Sequence, residues 1–90
     1  MSLINRLYWL PRFKRDYRKL SFEAKEKINN ALIRIEADGL HYPSLCVKKI
    51  KSSHDIWEAR ASYSLRITFT LQNNKIYLRT VGEHDILKSP

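Results

Sequence analysis

The spacing of hydrophobic residues changes from a helical period to a strand-like period part-way along the chain. Up to residue 38, apolar side chains recur every three or four positions, as on one face of an α-helix: Phe13, Tyr17 and Leu20, then Ala24, Ile28, Ala31, Leu32 and Ile35. From residue 45 onward they alternate with polar residues, as in half-buried strands. The pattern therefore predicts two helices followed by a series of strands.

Residues that favour helix ends set the limits of the two predicted helices. Pro11 suits a first helical turn, because its missing N–H would have no partner there, and it opens helix one over 11–20. Ser21 can accept a hydrogen bond as the N-cap of helix two, and Gly39 ends that helix. Because the break between the helices is short, we expect them to form a hairpin.

One short strand is predicted before the hairpin and four after it. The first contains Leu3, Ile4, Leu7, Tyr8 and Trp9, and the later strands span 45–51, 56–62, 64–72 and 75–82. Asn73 and Asn74 separate the last two, and asparagine tolerates the left-handed backbone of a tight hairpin turn. The predicted order β-αα-ββββ is an α+β domain, an antiparallel sheet with the N-terminal two-helix hairpin packed on one face and the other face open.

Alternation also predicts which side chains share the open face. Those expected to face the helices are Trp57, Ala59, Leu65, Ile67 and Phe69. Glu58, Arg60 and Arg66 then meet on the opposite face of two neighbouring strands. Arg79 could join them, although 75–81 is apolar on both faces and its orientation stays open. Charges placed in this way are often only cross-strand ion pairs on an exposed sheet.

Length and charge limit the kind of protein. Ninety residues allow one domain, spanning 1–90, because a chain of this size cannot divide its buried surface between two cores. The formal charge of +8 favours a polyanionic partner, most commonly nucleic acid. Residues 12–19 hold five basic side chains against one acidic one, and a second cluster is Lys48, Lys49 and Lys51. Either cluster alone is more often a solvated face than a binding site.

Cysteine and histidine positions argue against a metal or a disulfide. The single cysteine, Cys46, excludes an intramolecular disulfide, and no Cys or His positions show zinc-ligand spacing, so we expect no cofactor and a reducing cytoplasm. We interpret His41 and His54 as surface residues. The longest apolar run, Leu7–Leu10, is far shorter than the 20 or so residues of a membrane span, so no membrane partner is expected.

His84 adds acid–base chemistry to the open face. It closely follows the last predicted strand, and an unperturbed histidine, with a pKa of about 6.5, can hold or release a proton near neutrality. A lone histidine near a terminus is usually inert. Beside two arginines and a carboxylate, however, it completes a set for metal-free RNA cleavage: a base for the 2′-hydroxyl, cations for the phosphorane and an acid for the leaving oxygen.

Three segments of the sequence together resemble one protein family. They are 55–62 (DIWEARAS), 65–69 (LRITF) and 77–85 (YLRTVGEHD). In order and spacing they are similar to the RelE/ParE superfamily of bacterial toxin–antitoxin toxins, above all to the RelE/StbE-type mRNA interferases. The resemblance covers nearly the whole chain and implies a two-helix hairpin on an antiparallel sheet.

The resemblance also implies roles for individual residues. Arg66 would neutralise the scissile phosphate, Glu58 would act as general base and His84 as general acid, with Arg60 as a further catalytic cation. The substrate-binding residues would be Lys48, Lys49, Lys51 and Arg79. Leu65 and Asp85 depart from the family, since relatives carry a tyrosine at these places. Trp57 could stack on a substrate base only if its ring were exposed, whereas alternation places it in the core.

Three functions are compatible with these features. The first is an endoribonuclease toxin that cleaves mRNA, in the ribosomal A site as RelE-like proteins do, and that is silenced by a cognate acidic antitoxin. The second is a ParE-like inhibitor of DNA gyrase without nuclease chemistry. The third is a basic domain that binds RNA without cutting it. The acid–base set favours the nuclease, because neither of the others requires it.

Overall fold

The structure, a computed structural model, describes residues 6–50 and 55–90, and their order matches the predicted β-αα-ββββ arrangement. The elements are β1 (Arg6–Trp9), α1 (Pro11–Arg18), α2 (Phe22–Asp38), the 3₁₀ helix η1 (Pro43–Leu45), β2 (Lys48–Lys49), β3 (Ile56–Arg60), β4 (Leu65–Gln72), β5 (Lys75–Glu83) and the 3₁₀ helix η2 (His84–Lys88). The α+β fold class is thus confirmed. The strand predicted over 45–51 is wrong in extent, because η1 and Cys46 precede a two-residue strand.

The five strands form one sheet in the order β1-β5-β4-β3-β2. The pairs β2–β3, β3–β4 and β4–β5 are antiparallel as predicted, whereas β1 runs parallel to β5 and makes the sheet mixed. A parallel neighbour needs a long crossover, which the helical hairpin and the strands after it supply. Alternation could not show this, because it reports the face of a side chain and not the direction of a strand. Leu3 and Ile4, predicted in the first strand, lie outside the described residues.

The helix ends follow the sequence signals. Pro11 is the first residue of α1, and the Ser21 hydroxyl accepts a hydrogen bond from the Ala24 N–H at 3.1 Å. Gly39 ends α2 with a φ of 83°, a left-handed conformation that costs glycine little. No helix among the described residues is long and apolar enough to cross a bilayer.

The core lies between the helical hairpin and one face of the sheet. Phe13 of α1 and Ile28 and Ile35 of α2 are fully buried against Ile67 and Phe69 of β4. Burying each such side chain contributes roughly 1.5–3 kcal/mol. The predicted inward face of β3 and β4 is confirmed for four residues, Ala59, Leu65, Ile67 and Phe69, while Trp57 is half-buried at the margin of the core.

A β-bulge in the last hairpin resolves the ambiguous strand. Phe69 pairs with Leu78 and Thr68 with Thr80, so that Arg79 is an extra residue on β5. The alternation of inward-facing and outward-facing residues along β5 therefore shifts by one position after Leu78, and the next buried apolar residue is Val81. Across the predicted turn, Asn73 and Asn74 have φ angles of 51° and 64°, both left-handed as expected.

The face predicted to be open is partly covered by the C-terminal segment. The backbone oxygen of Pro90 accepts hydrogen bonds from Arg79 Nε at 3.2 Å and from Thr68 Oγ1 at 3.4 Å. Near the start of this segment, a Cβ added to Gly82 would lie 2.7 Å from Ile86 Cγ2, so the glycine permits the close approach. The outer face is therefore open only in part, because η2 and the residues after it fold back over β4 and β5.

Candidate active site

At one end of the sheet, six residues line a cavity of about 110 Å³: Cys46, Lys48, Glu58, Arg60, Arg66 and His84. Five of them were singled out from the sequence as catalytic or substrate-binding residues. A cavity of this volume, lined mostly by cationic side chains, can admit a small anionic group such as a phosphate.

The strand register brings these side chains to one face. Arg60 lies directly opposite Arg66 in the β3–β4 ladder, and Lys48 of β2 lies opposite Glu58 of β3. Residues two apart on a strand share a face, so Glu58 and Arg60 point the same way. The end of β5 closes the set, because Gly82 pairs with Arg66 and the chain then turns into η2 at His84.

The Arg66 side chain is buried and is held at several points. Its Nε lies 3.9 Å from Glu58 Oε1, and the two side chains are 9 and 10% exposed, respectively. Its Nη1 donates hydrogen bonds to the backbone oxygens of Ser62, Tyr63 and Leu65 at 3.1, 3.0 and 3.2 Å. Arg66 thus ties the β3–β4 turn to the cavity. The sequence does not reveal this second role of Arg66, because it depends on the path of the turn.

The charges around the cavity favour an anion. Three cations, on Lys48, Arg60 and Arg66, stand against the single carboxylate of Glu58. Lys48, Arg60 and His84 are exposed, whereas Glu58 and Arg66 are buried. Guanidinium groups donate in a fork that fits two oxygens of one phosphate. The arrangement therefore offers a site for a phosphate with an imidazole at its open side.

Other predicted residues are not brought to this cavity. Lys49 pairs with Trp57, which packs toward the core, so it lies on the other face of β2 from Lys48. The Arg79 side chain lies on the same outer face but away from the cavity. Its Nη1 donates to Thr70 Oγ1 at 3.4 Å, and its Nε donates to the backbone oxygen of Pro90. Lys51 lies outside the described residues.

Flanking residues fall into different surroundings. Asp85 lines a separate cavity with Arg12 of α1 and with Lys19, the residue after α1. His41 lines a third, between the end of α2 and the β4–β5 turn, and His54 lies outside the described residues. His41 is exposed, in agreement with the surface position predicted for it. These placements do not bear on the catalytic role predicted for His84.

Cys46 is the cavity residue that the sequence analysis did not place in a site. Its backbone is left-handed, with a φ of 46°, and turns the chain from η1 into β2. Its Sγ lies 3.7 Å from the Pro43 oxygen. No signal in the sequence pointed to the cavity, because a single cysteine before two lysines has no chemical partner along the chain.

Comparisons with known proteins give matches in structure alone. No protein-family model matches the chain, and no curated protein sequence matches it. Among solved structures, YafQ from Escherichia coli superposes with a TM-score of 0.76 at 13% identity, covering 92% of this chain and 97% of that one. RelE from Methanococcus jannaschii, in complex with the antitoxin RelB, gives 0.74 at 17%, covering 90% and 94%. The chain has the fold of RelE-like toxins.

A third neighbour extends the RelE-like comparison. A YoeB dimer from Staphylococcus aureus gives a TM-score of 0.71 at 21% identity, covering 91% of this chain and 99% of that one. YafQ has also been solved as a toxin–antitoxin complex with DinJ, and RelE as one with RelB. The RelE-like resemblance that the sequence motifs carry is thus confirmed at the level of the fold.

Proposed function

We propose that this RelE-like protein is the toxin of a toxin–antitoxin pair and that it cleaves mRNA as a metal-independent endoribonuclease. One observation carries the proposal. A carboxylate, three cations and an imidazole line a single phosphate-sized cavity, and they do so on a fold shared with toxins.

The first half of the reaction forms a new P–O bond. The Glu58 carboxylate removes the proton from a ribose 2′-hydroxyl, and the oxygen attacks the adjacent phosphorus. The phosphorane carries extra negative charge, which Arg60, Arg66 and Lys48 stabilise. Because Arg66 is held by the turn and by Glu58, it needs little reorganisation to meet that charge.

The second half breaks the bond to the 5′-oxygen. His84 donates a proton to this oxygen as it departs, which leaves a 2′,3′-cyclic phosphate on one fragment and a 5′-hydroxyl on the other. The exposed position of His84 at the start of η2 suits this role, since the imidazole must regain a proton from solvent after each turnover.

Charge supports the choice of partners. A net charge of +8 favours an RNA substrate and an acidic antitoxin, which would associate rapidly through electrostatic attraction. The family resemblance adds that the substrate is mRNA in the ribosomal A site, within the cytoplasm. The proposal therefore includes a cognate acidic antitoxin that blocks the cavity's access to RNA.

The test is to induce the protein in bacterial cells and map the 5′ ends of messages by primer extension. We expect new 5′ ends and arrested translation with the natural sequence, and neither with His84→Ala. His41→Ala is the matched control, because His41 lies at a different cavity, and it should behave like the natural sequence. An SOS response with intact messages would instead show a gyrase inhibitor and would refute the nuclease proposal.

A further inference from the structure

The cavity has a volume of about 110 Å³ and opens to solvent beside Lys48, Arg60 and His84, which are exposed. A phosphodiester bound among its cations would leave the bases on either side to extend toward this open side. Exposed side chains near the cavity are therefore candidates to contact those bases.

Tyr63 adjoins the cavity through its backbone. It lies in the turn between β3 and β4, and its backbone oxygen is 3.0 Å from the Nη1 of Arg66, which lines the cavity. The end of β5 reaches the same turn, since Glu83 pairs with Leu65 just before His84 begins η2. The Tyr63 backbone is thus bonded to one of the side chains that line the cavity.

The Tyr63 side chain is 91% exposed, so its ring contacts little of the protein. We propose that Tyr63 is a stacking platform for a nucleobase that flanks the phosphate in the cavity. This inference rests on the proposed function and adds a binding subsite to it. Bases of single-stranded RNA stack on aromatic side chains irrespective of their identity, because every base has a π face.

The turn holds the Tyr63 backbone although the ring is in solvent. The Ala61 N–H donates to the Leu65 oxygen at 3.0 Å, and the Leu65 N–H donates to Ser62 Oγ at 3.3 Å. Together with the bonds from Arg66, these contacts leave the tyrosine few torsions to restrict when a base binds. A rigid aromatic group loses little conformational entropy on contact, which is why such residues are effective in binding surfaces.

Phe22 shows why location matters more than exposure. It is 81% exposed, comparable to Tyr63, but it begins α2, in the helical layer on the opposite side of the sheet from the cavity. Single exposed aromatic residues are ordinary on protein surfaces. Phe22 is therefore the matched control: it has the same kind of ring and similar exposure, but no phosphate site beside it.

The experiment uses 2′-O-methyl RNA oligonucleotides, which lack the attacking hydroxyl and stay intact. Each carries one 2-aminopurine, placed at successive positions, and this base loses fluorescence when it stacks on an aromatic ring. At low ionic strength we expect binding by the full chain to quench the fluorescence at one position. Tyr63→Ala should abolish that quenching and weaken affinity roughly 5- to 100-fold. Tyr63→Phe and Tyr63→Trp should preserve both, and Phe22→Ala should change neither.

The possible results distinguish a failure of the stacking proposal from a failure of the nuclease proposal on which it rests. If Tyr63→Ala binds and quenches like the natural sequence, the stacking subsite is refuted and the nuclease proposal stands. If the natural sequence does not bind the oligonucleotides, stacking on free RNA is refuted, and the mapping of message ends in cells decides the nuclease proposal by itself, because the proposed cleavage takes place on the ribosome. Because the ring is exposed, Tyr63→Ala should keep the thermal unfolding midpoint of the natural sequence, and a melt followed by circular dichroism shows that any lost affinity is local.

Discussion

Arg60 and Arg66 lie directly opposite each other in the β3–β4 ladder, two cations in a position where like charges repel. The structure offsets this repulsion with the Glu58 carboxylate, 3.9 Å from Arg66 Nε, and with the turn oxygens that accept from Arg66 Nη1. The Arg66 guanidinium group is therefore in place before a phosphate arrives. Such preorganisation lets a site stabilise new charge without first rearranging.

Glu58→Gln tests the carboxylate of this arrangement. The amide keeps the shape of the side chain but removes the charge beside Arg66 and the proposed base. We expect RNA cleavage to fall at least ~100-fold and the free energy of unfolding to fall by about 1–2 kcal/mol. Single-turnover cleavage and urea denaturation measure the two effects. Glu26→Gln, on the exposed face of α2, should change neither. Unimpaired cleavage by Glu58→Gln would rule out Glu58 as the base.

Arg66→Lys separates charge from geometry. Lysine retains the positive charge but lacks the fork that reaches the turn oxygens and the phosphate together. We expect cleavage to fall about 10- to 100-fold and the melting temperature to drop because the turn loses its ties. Arg18→Lys, on the exposed surface of α1, is the control. Full activity in Arg66→Lys would mean that a point charge is sufficient and that the fork geometry has no role.

Gly82→Ala tests the coupling of the C-terminal segment to the cavity. The new Cβ would meet Ile86 Cγ2 at 2.7 Å, where carbon atoms prefer about 3.5–4 Å, so either the Ile86 side chain rotates or η2 shifts by roughly 1 Å. Since His84 begins η2, we expect cleavage to fall about 10- to 100-fold, while the free energy of unfolding changes by only ~1 kcal/mol.

A second substitution checks that cause. Ile86→Ala removes the atom with which the new Cβ would collide, so Gly82→Ala combined with Ile86→Ala should recover part of the activity lost in Gly82→Ala alone. Cleavage rates of the four proteins form a double-mutant cycle. Strictly additive losses would show that Gly82 affects cleavage by a route other than contact with Ile86.

Thr68→Val tests the buried hydroxyl pair beneath the C-terminal segment. Thr68 Oγ1 contacts the Thr80 hydroxyl and also accepts the Thr80 N–H at 3.1 Å, next to the bulge. Valine has the same shape but leaves that N–H without an acceptor. We expect the free energy of unfolding to fall by about 1–3 kcal/mol, measured by urea denaturation. Thr68→Ser keeps the acceptor and should lose less. Equal losses would assign the effect to packing and not to hydrogen bonding.

Periodicity predicted most of the fold and the centre of the site. The alternation of 56–71 placed Glu58, Arg60 and Arg66 on one face, as observed, because β3 and β4 are regular up to Thr68. The two helices and the Asn73-Asn74 turn followed from local signals, which depend on backbone preferences at single positions.

The features of the fold and site that periodicity did not predict depend on contacts between distant parts of the chain. The bulge at Arg79 shifts the pairing by one residue, and a strand that is apolar on both faces does not reveal where such a shift occurs. The placement of Cys46 in the cavity and the return of Pro90 over β4 are set by folding partners far away in sequence. The local spacing of hydrophobic residues does not reveal these long-range contacts.

β1 is translated before every other element of the sheet, and its partner β5 is translated after all the other strands. Arg6 pairs with Lys75, so β1 stays without its native neighbour until β5 has emerged. Folds built on such distant pairings form slowly, because a long loop must close before the contact is gained. His84 follows β5 in the sequence and is therefore synthesised after it. The cavity therefore cannot be complete until the chain has been synthesised past β5 and His84.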